Sequence, residues 1–154
     1  MTLKDVIRTI EGVASRQPAI NMIVQGDIFR LNANPKAKYG VFAWVQQQHD
    51  TSADSSIINY SFTFFYVDRL KANKSNQVEI QSVGIETLDN IVRTLDELGL
   101  FAESTYSFQV FNQRFMDECA GVFCNVALSV PVRSVCPEEF GNGSRGIREN
   151  VIIY

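Results

Sequence analysis

Histidine is almost missing from this 154-residue chain, which has one, and cysteine is scarce at three. Cys119, Cys124 and Cys136 form no CxxC pair. A zinc site takes about four ligands at short paired spacings, so no metal site is expected. His49, in the polar stretch QQQHDTS, is the only base of the usual type for activating a nucleophile. It reads as a solvated loop residue, and no GxSxG elbow stands anywhere to support an acyl-transfer site. Basic charge is also short: 14 Lys and Arg stand against 17 Asp and Glu, for a net charge of −3. Lys36, Lys38, Lys71 and Lys74 are small pairs in expected loops and not a stripe, which argues against a nucleic-acid-binding module. Long apolar runs are missing too. Lys4, Asp5, Arg8 and Glu11 interrupt the first twenty residues, and no run approaches the roughly 18 residues of a membrane span. The expectation is a chain that folds in a reducing cytoplasm, where Asn59, Asn73 and Asn142 carry no glycan despite their sequons.

What the chain has is aromatics, eleven Phe and five Tyr gathered in a few stretches. Such clusters suit strands on a half-buried pleated surface. Ile57 to Val67 is the strongest strand, with Ile58, Tyr60, Phe62, Phe64 and Tyr66 on one face and Ser61, Thr63, Phe65 and Val67 on the other. Val41 to Gln47 alternates Phe42 and Trp44 against Val41, Ala43 and Val45. Both of its faces are apolar, which places it between two packed surfaces. The two runs predict an antiparallel hairpin with its tip near Ser52 to Asp54. Tyr106 to Phe111 and Val122 to Val130 predict a second hairpin, with Asn112 to Gly121 as its polar connection. Met22 to Val24 and Ile28 to Leu31, split by Gln25-Gly26-Asp27, predict a strand or bulged hairpin.

Two helices complete the pattern. Leu3, Val6, Ile7, Ile10, Val13 and Ala14 recur at helical spacing behind a capping-box-like Thr2 and Asp5, and Pro18 ends the run. Val78 to Leu98 is a longer helix, with Gly84 as a weak point that could split it and Gly99 as its stop. The order predicts one α+β domain over residues 1–136, a mostly antiparallel sheet with two helices on one face. Residues 137–154 change character. Gly141, Gly143 and Gly146 dilute them before Val151, Ile152, Ile153 and Tyr154 end the chain, either as a last strand of the same sheet or as an arm reaching a neighbour.

Candidate chemistry is thin. Gly141-Asn142-Gly143-Ser144-Arg145-Gly146 matches GxGxxG by letter, but too few residues follow it for a βαβ unit. Asp117-Glu118 and Glu138-Glu139 are adjacent pairs whose side chains diverge in regular structure, so they read as surface charge. No catalytic residue, cofactor or metal ligand is assigned, and the chain is read as not an enzyme.

The layout of TLKDVIRTIEGVA, a hairpin, ETLDNIVRTLDEL and a second hairpin resembles tail terminator and head–tail joining proteins of tailed phages, including neck-ring proteins of crAss-like phages. The segment FNQRFMDECAGVFCNVALSVP, Phe111 to Pro131, carries most of the likeness. The resemblance implies a tail-terminator-like fold and a virion ring of identical subunits, a hexamer or dodecamer. Such a ring joins the head connector to the tail, meets other neck, portal or tail-tube proteins, and passes DNA through its channel without specific binding. A ring needs surfaces that meet sister subunits. Phe42, Trp44, Tyr60, Phe62, Phe64, Tyr66, Val151, Ile152, Ile153 and Tyr154 are the expected interface residues. The competing readings are a small ligand-binding domain with a pocket lined by Trp44, Tyr60 and Tyr66, or an oligomeric interaction module.

Overall fold

A computed structural model describes residues 1–26, 38–52, 56–102, 105–114 and 118–132. Helix α1 spans Leu3–Ser15 and opens on a full capping box. The Asp5 amide donates to Thr2 Oγ1 at 3.3 Å, and the Thr2 amide donates back to Asp5 Oδ2 at 2.9 Å. Two amides that the first turn leaves orphaned are thereby satisfied. Val6, Ile10, Val13 and Ala14 form the buried stripe that the helical spacing predicts. Strands β1 (Met22–Gln25) and β2 (Val41–Gln46) then pair in parallel, from Met22 opposite Val41 to Gln25 opposite Trp44. Met22–Gln25 is thus a strand, one of the two expected readings, and parallel neighbours such as β1 and β2 need a crossover between them. Ile28 to Leu31 lie outside the described residues. Gly40 enters β2 at a φ of +84°, where a Cβ would strike the Ala19 carbonyl, so only glycine suits the site.

The expected antiparallel hairpin forms from β2 and β4 (Ile57–Arg69), with Val41 opposite Val67 and Trp44 opposite Phe64. The two-residue β3 (Asp50–Thr51) continues it against Asn59 and Ile58. Helix α2 then runs unbroken over Gln77–Glu97. Gly84 does not split it; a Cβ there would stand 2.9 Å from Tyr66 Cδ1 and 3.0 Å from Val122 Cγ2. Glycine lets the helix axis approach the sheet, which offsets its roughly 1 kcal/mol propensity cost. Strands β5 (Phe101–Ala102), β6 (Phe108–Arg114) and β7 (Glu118–Pro131) complete the described elements. The polar connection expected over Asn112 to Gly121 is shorter than that, because β6 continues through Arg114 and β7 begins at Glu118.

These strands make one seven-stranded sheet in the order β1-β2-β4-β7-β5, with β3 beside β4 and β6 beside β7. Its spine is the pair β4 and β7, joined from Ile57 opposite Pro131 to Arg69 opposite Cys119. All pairings but β1 with β2 are antiparallel, and both helices pack on one face. The fold is α+β, as predicted. Register decides which side chains meet the helices. Tyr66 lies opposite Val122 and Phe42 opposite Tyr66, so the even-numbered residues of β2, β4 and β7 share that face. Val6 and Ile10 from α1 and Leu88, Ile91 and Leu95 from α2 close over them. A polar clasp ties α1 to the sheet: Gln25 Nε2 and Trp44 Nε1 both donate to Glu11 Oε1, at 2.6 and 3.1 Å.

Candidate functional site

The six aromatic side chains expected at a subunit interface are core. Phe42, Phe62 and Phe64 are 0% exposed, Tyr66 2%, Trp44 5% and Tyr60 8%. They interlock along the helix-covered face, with ring centroids 5.4 Å apart for Phe42 and Phe64 and 6.1 Å for Trp44 and Phe62. The interface assignment for these residues is corrected, for a simple physical reason. The apolar stripes of α1 and α2 already remove that ribbon from water within a single chain, so no sister molecule reaches it. Val151, Ile152, Ile153 and Tyr154 lie outside the described residues, as does the expected 137–154 arm.

The same burial bears on the pocket expected from Trp44, Tyr60 and Tyr66. Among the described residues, Tyr66 borders a cavity that holds about 220 Å³ between the end of β4 and the start of α2 and is also lined by Asp68, Lys71, Asn76, Glu79, Ile80 and Val83. Ligand pockets usually run to roughly 300–1,000 Å³, so this one suits only a very small molecule. The Tyr66 hydroxyl donates to Asp68 Oδ2 at 3.4 Å, and burial, with the Asp68 charge beside it, raises its pKa far above the ordinary phenol value. A phenol held protonated in that way is no base at neutral pH.

His49 differs from expectation as well. It is half-buried, not a freely solvated loop side chain. Its ring stands edge-on to Tyr60 at 5.3 Å, and Nδ1 accepts the Ser61 amide at 3.2 Å. Accepting at Nδ1 leaves Nε2 facing Gln46 Oε1 at 3.3 Å. Both ring nitrogens are thus occupied in joining the β2–β4 turn, with no nucleophile among those contacts. Cys124 is equally unsuited to attack, because burial first and the charge of Asp89 second push its thiol up to about 12. Among the described residues no three His, Cys, Asp or Glu cluster to hold a metal ion, and no helix is long and apolar enough to cross a membrane. Asp117, Glu138, Glu139 and the Gly141–Gly146 run lie outside the described residues, and Glu118 is exposed at the head of β7.

One polar cluster does link α2 to the sheet edge. Tyr106, just before β6, donates to Asp89 Oδ1 at 2.6 Å, and Arg93 Nε donates to Oδ2 at 2.7 Å. The Tyr106 bond first, then the Arg93 bond and charge, hold the Asp89 carboxyl below its usual range against a smaller desolvation effect. A depressed folded-state pKa contributes stability above the unfolded value of about 3.9 and loses it as pH falls through the folded value. Urea midpoints of the native chain should therefore drop below pH ~4 more steeply than those of Asp89→Asn, which cannot titrate there. Parallel acid limbs for the two proteins would contradict that linkage.

The surface that sequence reasoning missed is the helix-free face of the sheet. Phe65, Phe111 and Phe123 meet there, with centroids 6.3, 5.6 and 6.2 Å apart, and each ring is half-buried. Beside them Val24, Val41, Ala43, Val67 and Cys119 form a second apolar cluster. Farther along the same face the side chains turn polar. Thr63 Oγ1 donates to Asn125 Oδ1 at 2.6 Å and accepts from Gln47 Nε2 at 3.0 Å, and Ser129 Oγ donates to Asn59 Oδ1 at 2.7 Å. The face is thus aromatic at one end and a hydrogen-bonded polar ladder at the other. Each Phe looked incidental in its own strand; their meeting depends on the pairings of Phe65 with Phe123 and of Phe111 with Gly121. The chain matches no protein-family model, and no curated protein matches it either.

Proposed function

We propose that this chain is a non-enzymatic virion protein of a tailed phage, forming a ring in the neck or at the head-proximal end of the tail. In that reading identical subunits, six or twelve of them, close a heterologous interface around a DNA channel, because contacts that fail to close would grow a fibre. Other neck, portal or tail-tube proteins stack above and below, and DNA passes without specific binding.

The observation that carries the reading is how the sheet presents itself. One face is sealed by helices, while the other holds the half-buried Phe65, Phe111 and Phe123 cluster. The sheet ends at β1 on one side and at β5 and β6, both along β7, on the other, each paired on one side only among the described residues. Side chains of that kind, next to open edges, suit contact with protein better than with a small solute. The acidic balance of the chain agrees with a channel lining that DNA does not grip, since like charge prevents tight phosphate contacts.

Deleting the gene from the phage that encodes it tests the role. Filled heads and finished tails should accumulate unjoined, and the intact protein supplied in trans should restore infectious particles. Normal yields of joined, infectious virions without the protein would overturn the reading.

A further inference from the structure

Among the described residues, the outer edge of β6 is the strand edge most open to a partner. β6 runs seven residues, Phe108–Arg114, and pairs with β7 without a bulge from Phe108 opposite Cys124 to Arg114 opposite Glu118. Among the described residues nothing pairs with its other side. Protein edges are ordinarily guarded by Lys, Pro, a bulge or a short strand. The sequence FQVFNQR has no Lys or Pro, and its one charge is the terminal Arg114. The opposite edge, β1, is four residues long.

Apolar side chains flank that edge on both faces. Val110 is 55% exposed on the helix-covered side, and Phe111 is half-buried on the other. Helix α2 adds Val78, 77% exposed, and Ile85, 38% exposed. Asp89, one turn beyond Ile85, holds Tyr106 at the entrance to β6, so this flank of the helix runs toward the same edge. Gly84 packs on Val122, the β7 partner of Val110, which brings the two elements to one corner.

We propose that this edge takes the C-terminal segment Val151–Tyr154 of a neighbouring copy as an added strand. The inference rests on the ring reading and specifies the contact that joins one subunit to the next. The segment is uncharged in its side chains, with three β-branched residues and a tyrosine. An extended strand would turn Ile152 and Tyr154 to one face and Val151 and Ile153 to the other. Both faces of the β6 edge offer apolar cover, so neither pair is left in water. Main-chain hydrogen bonds supply affinity and the alternate side chains supply specificity, as in other strand additions.

Reach is ample. β7 ends at Pro131, and residues 133–150, fully extended, could span on the order of 60 Å. The chain's own β6 is the less direct target. β5 already occupies the flank of β7 at Leu128 and Ser129, and a returning segment would have to double back past it. Donation to a neighbour makes every subunit both donor and acceptor, which is the head-to-tail geometry a ring needs.

Disulfide trapping in the full-length chain tests this. In a Cys136→Ser background, mass-tagged Val110→Cys is mixed with untagged Val151→Cys, Ile152→Cys or Ile153→Cys and oxidised. Cross-strand neighbours lie within the roughly 4.4–6.8 Å between Cα atoms that a disulfide requires. At least one mixture should give a tagged–untagged heterodimer on a denaturing gel, and unchanged melting temperatures of the reduced variants would confirm that each folds. No disulfide in any mixture, or one that forms only within single chains of a Val110→Cys, Ile152→Cys double variant, overturns the proposal. Light scattering on a chain ending at Asn150 separates the two levels of the claim. Rings that persist without residues 151–154 sink the strand donation and spare the ring. Heterodimer bonds within a species that never closes sink the ring and spare the donation.

Discussion

Gly121→Ala should destabilise the chain by about 3 kcal/mol or more, and Gly121→Val should prevent folding. Gly121 lies in β7 between Val67 on β4 and Phe111 on β6. A Cβ there would press on the Tyr66 carbonyl oxygen and stand 2.6 and 2.8 Å from Cζ and Cε1 of the Phe111 ring. The backbone has no room to retreat, because β7 is hydrogen-bonded on both sides along this stretch. Space, and not backbone freedom, makes this glycine necessary, since its φ is not among the positive values in the chain. The Phe111 ring covers the glycine and reaches Phe65 and Phe123 beyond it. A larger residue would therefore break both the spine and the aromatic cluster. Gly84→Ala should cost less, since its nearest neighbours are side-chain atoms of Tyr66 and Val122 that can yield, and alanine favours the helix. Urea unfolding measures both. A loss below about 1 kcal/mol for Gly121→Ala would contradict the packing described.

The second large effect separates core from interface. Phe64 is fully buried between Phe42 and Phe62, under the helices. Phe64→Ala should cost roughly 3–5 kcal/mol, the transfer free energy of the ring plus that of the cavity it leaves. The loss should be the same at low and high protein concentration, because it arises within one chain. Phe123→Ser, on the half-buried cluster of the other face, should cost less stability and change association more. An isolated Phe64→Ala chain as stable as the native one, but impaired in association, would return the aromatic ribbon to the interface.

That contrast shows which parts of the fold are local enough to be read from the sequence. The alternation of Ile58, Tyr60, Phe62, Phe64 and Tyr66 identifies a strand because period two is visible within one segment. It also shows that one face is apolar. It does not say what covers that face, and the stripes of α1 and α2 that do so lie far away in the chain. Pairing of β4 with β7 has no local signal either, since Thr63 and Asn125 meet across 62 positions. Parallel pairing of β1 with β2 was hidden by turn-like Gln25-Gly26-Asp27, which suggests a hairpin. Polar Asn112 looked like loop, yet it continues an edge strand, where one side of the backbone needs no apolar neighbour. The helix-free aromatic cluster was illegible for the same reason: three phenylalanines from three strands become one surface only through register.

The proposed role depends on copies of this chain meeting one another around DNA. If the proposal holds, a cryo-electron microscopy reconstruction of intact virions of the encoding phage is the most direct measurement. The account predicts a closed ring of six or twelve copies between head connector and tail tube, each with its helix-free sheet face or β6 edge against a sister subunit. Virions that contain none of the polypeptide, or that hold it as single copies out of contact with one another, would contradict it.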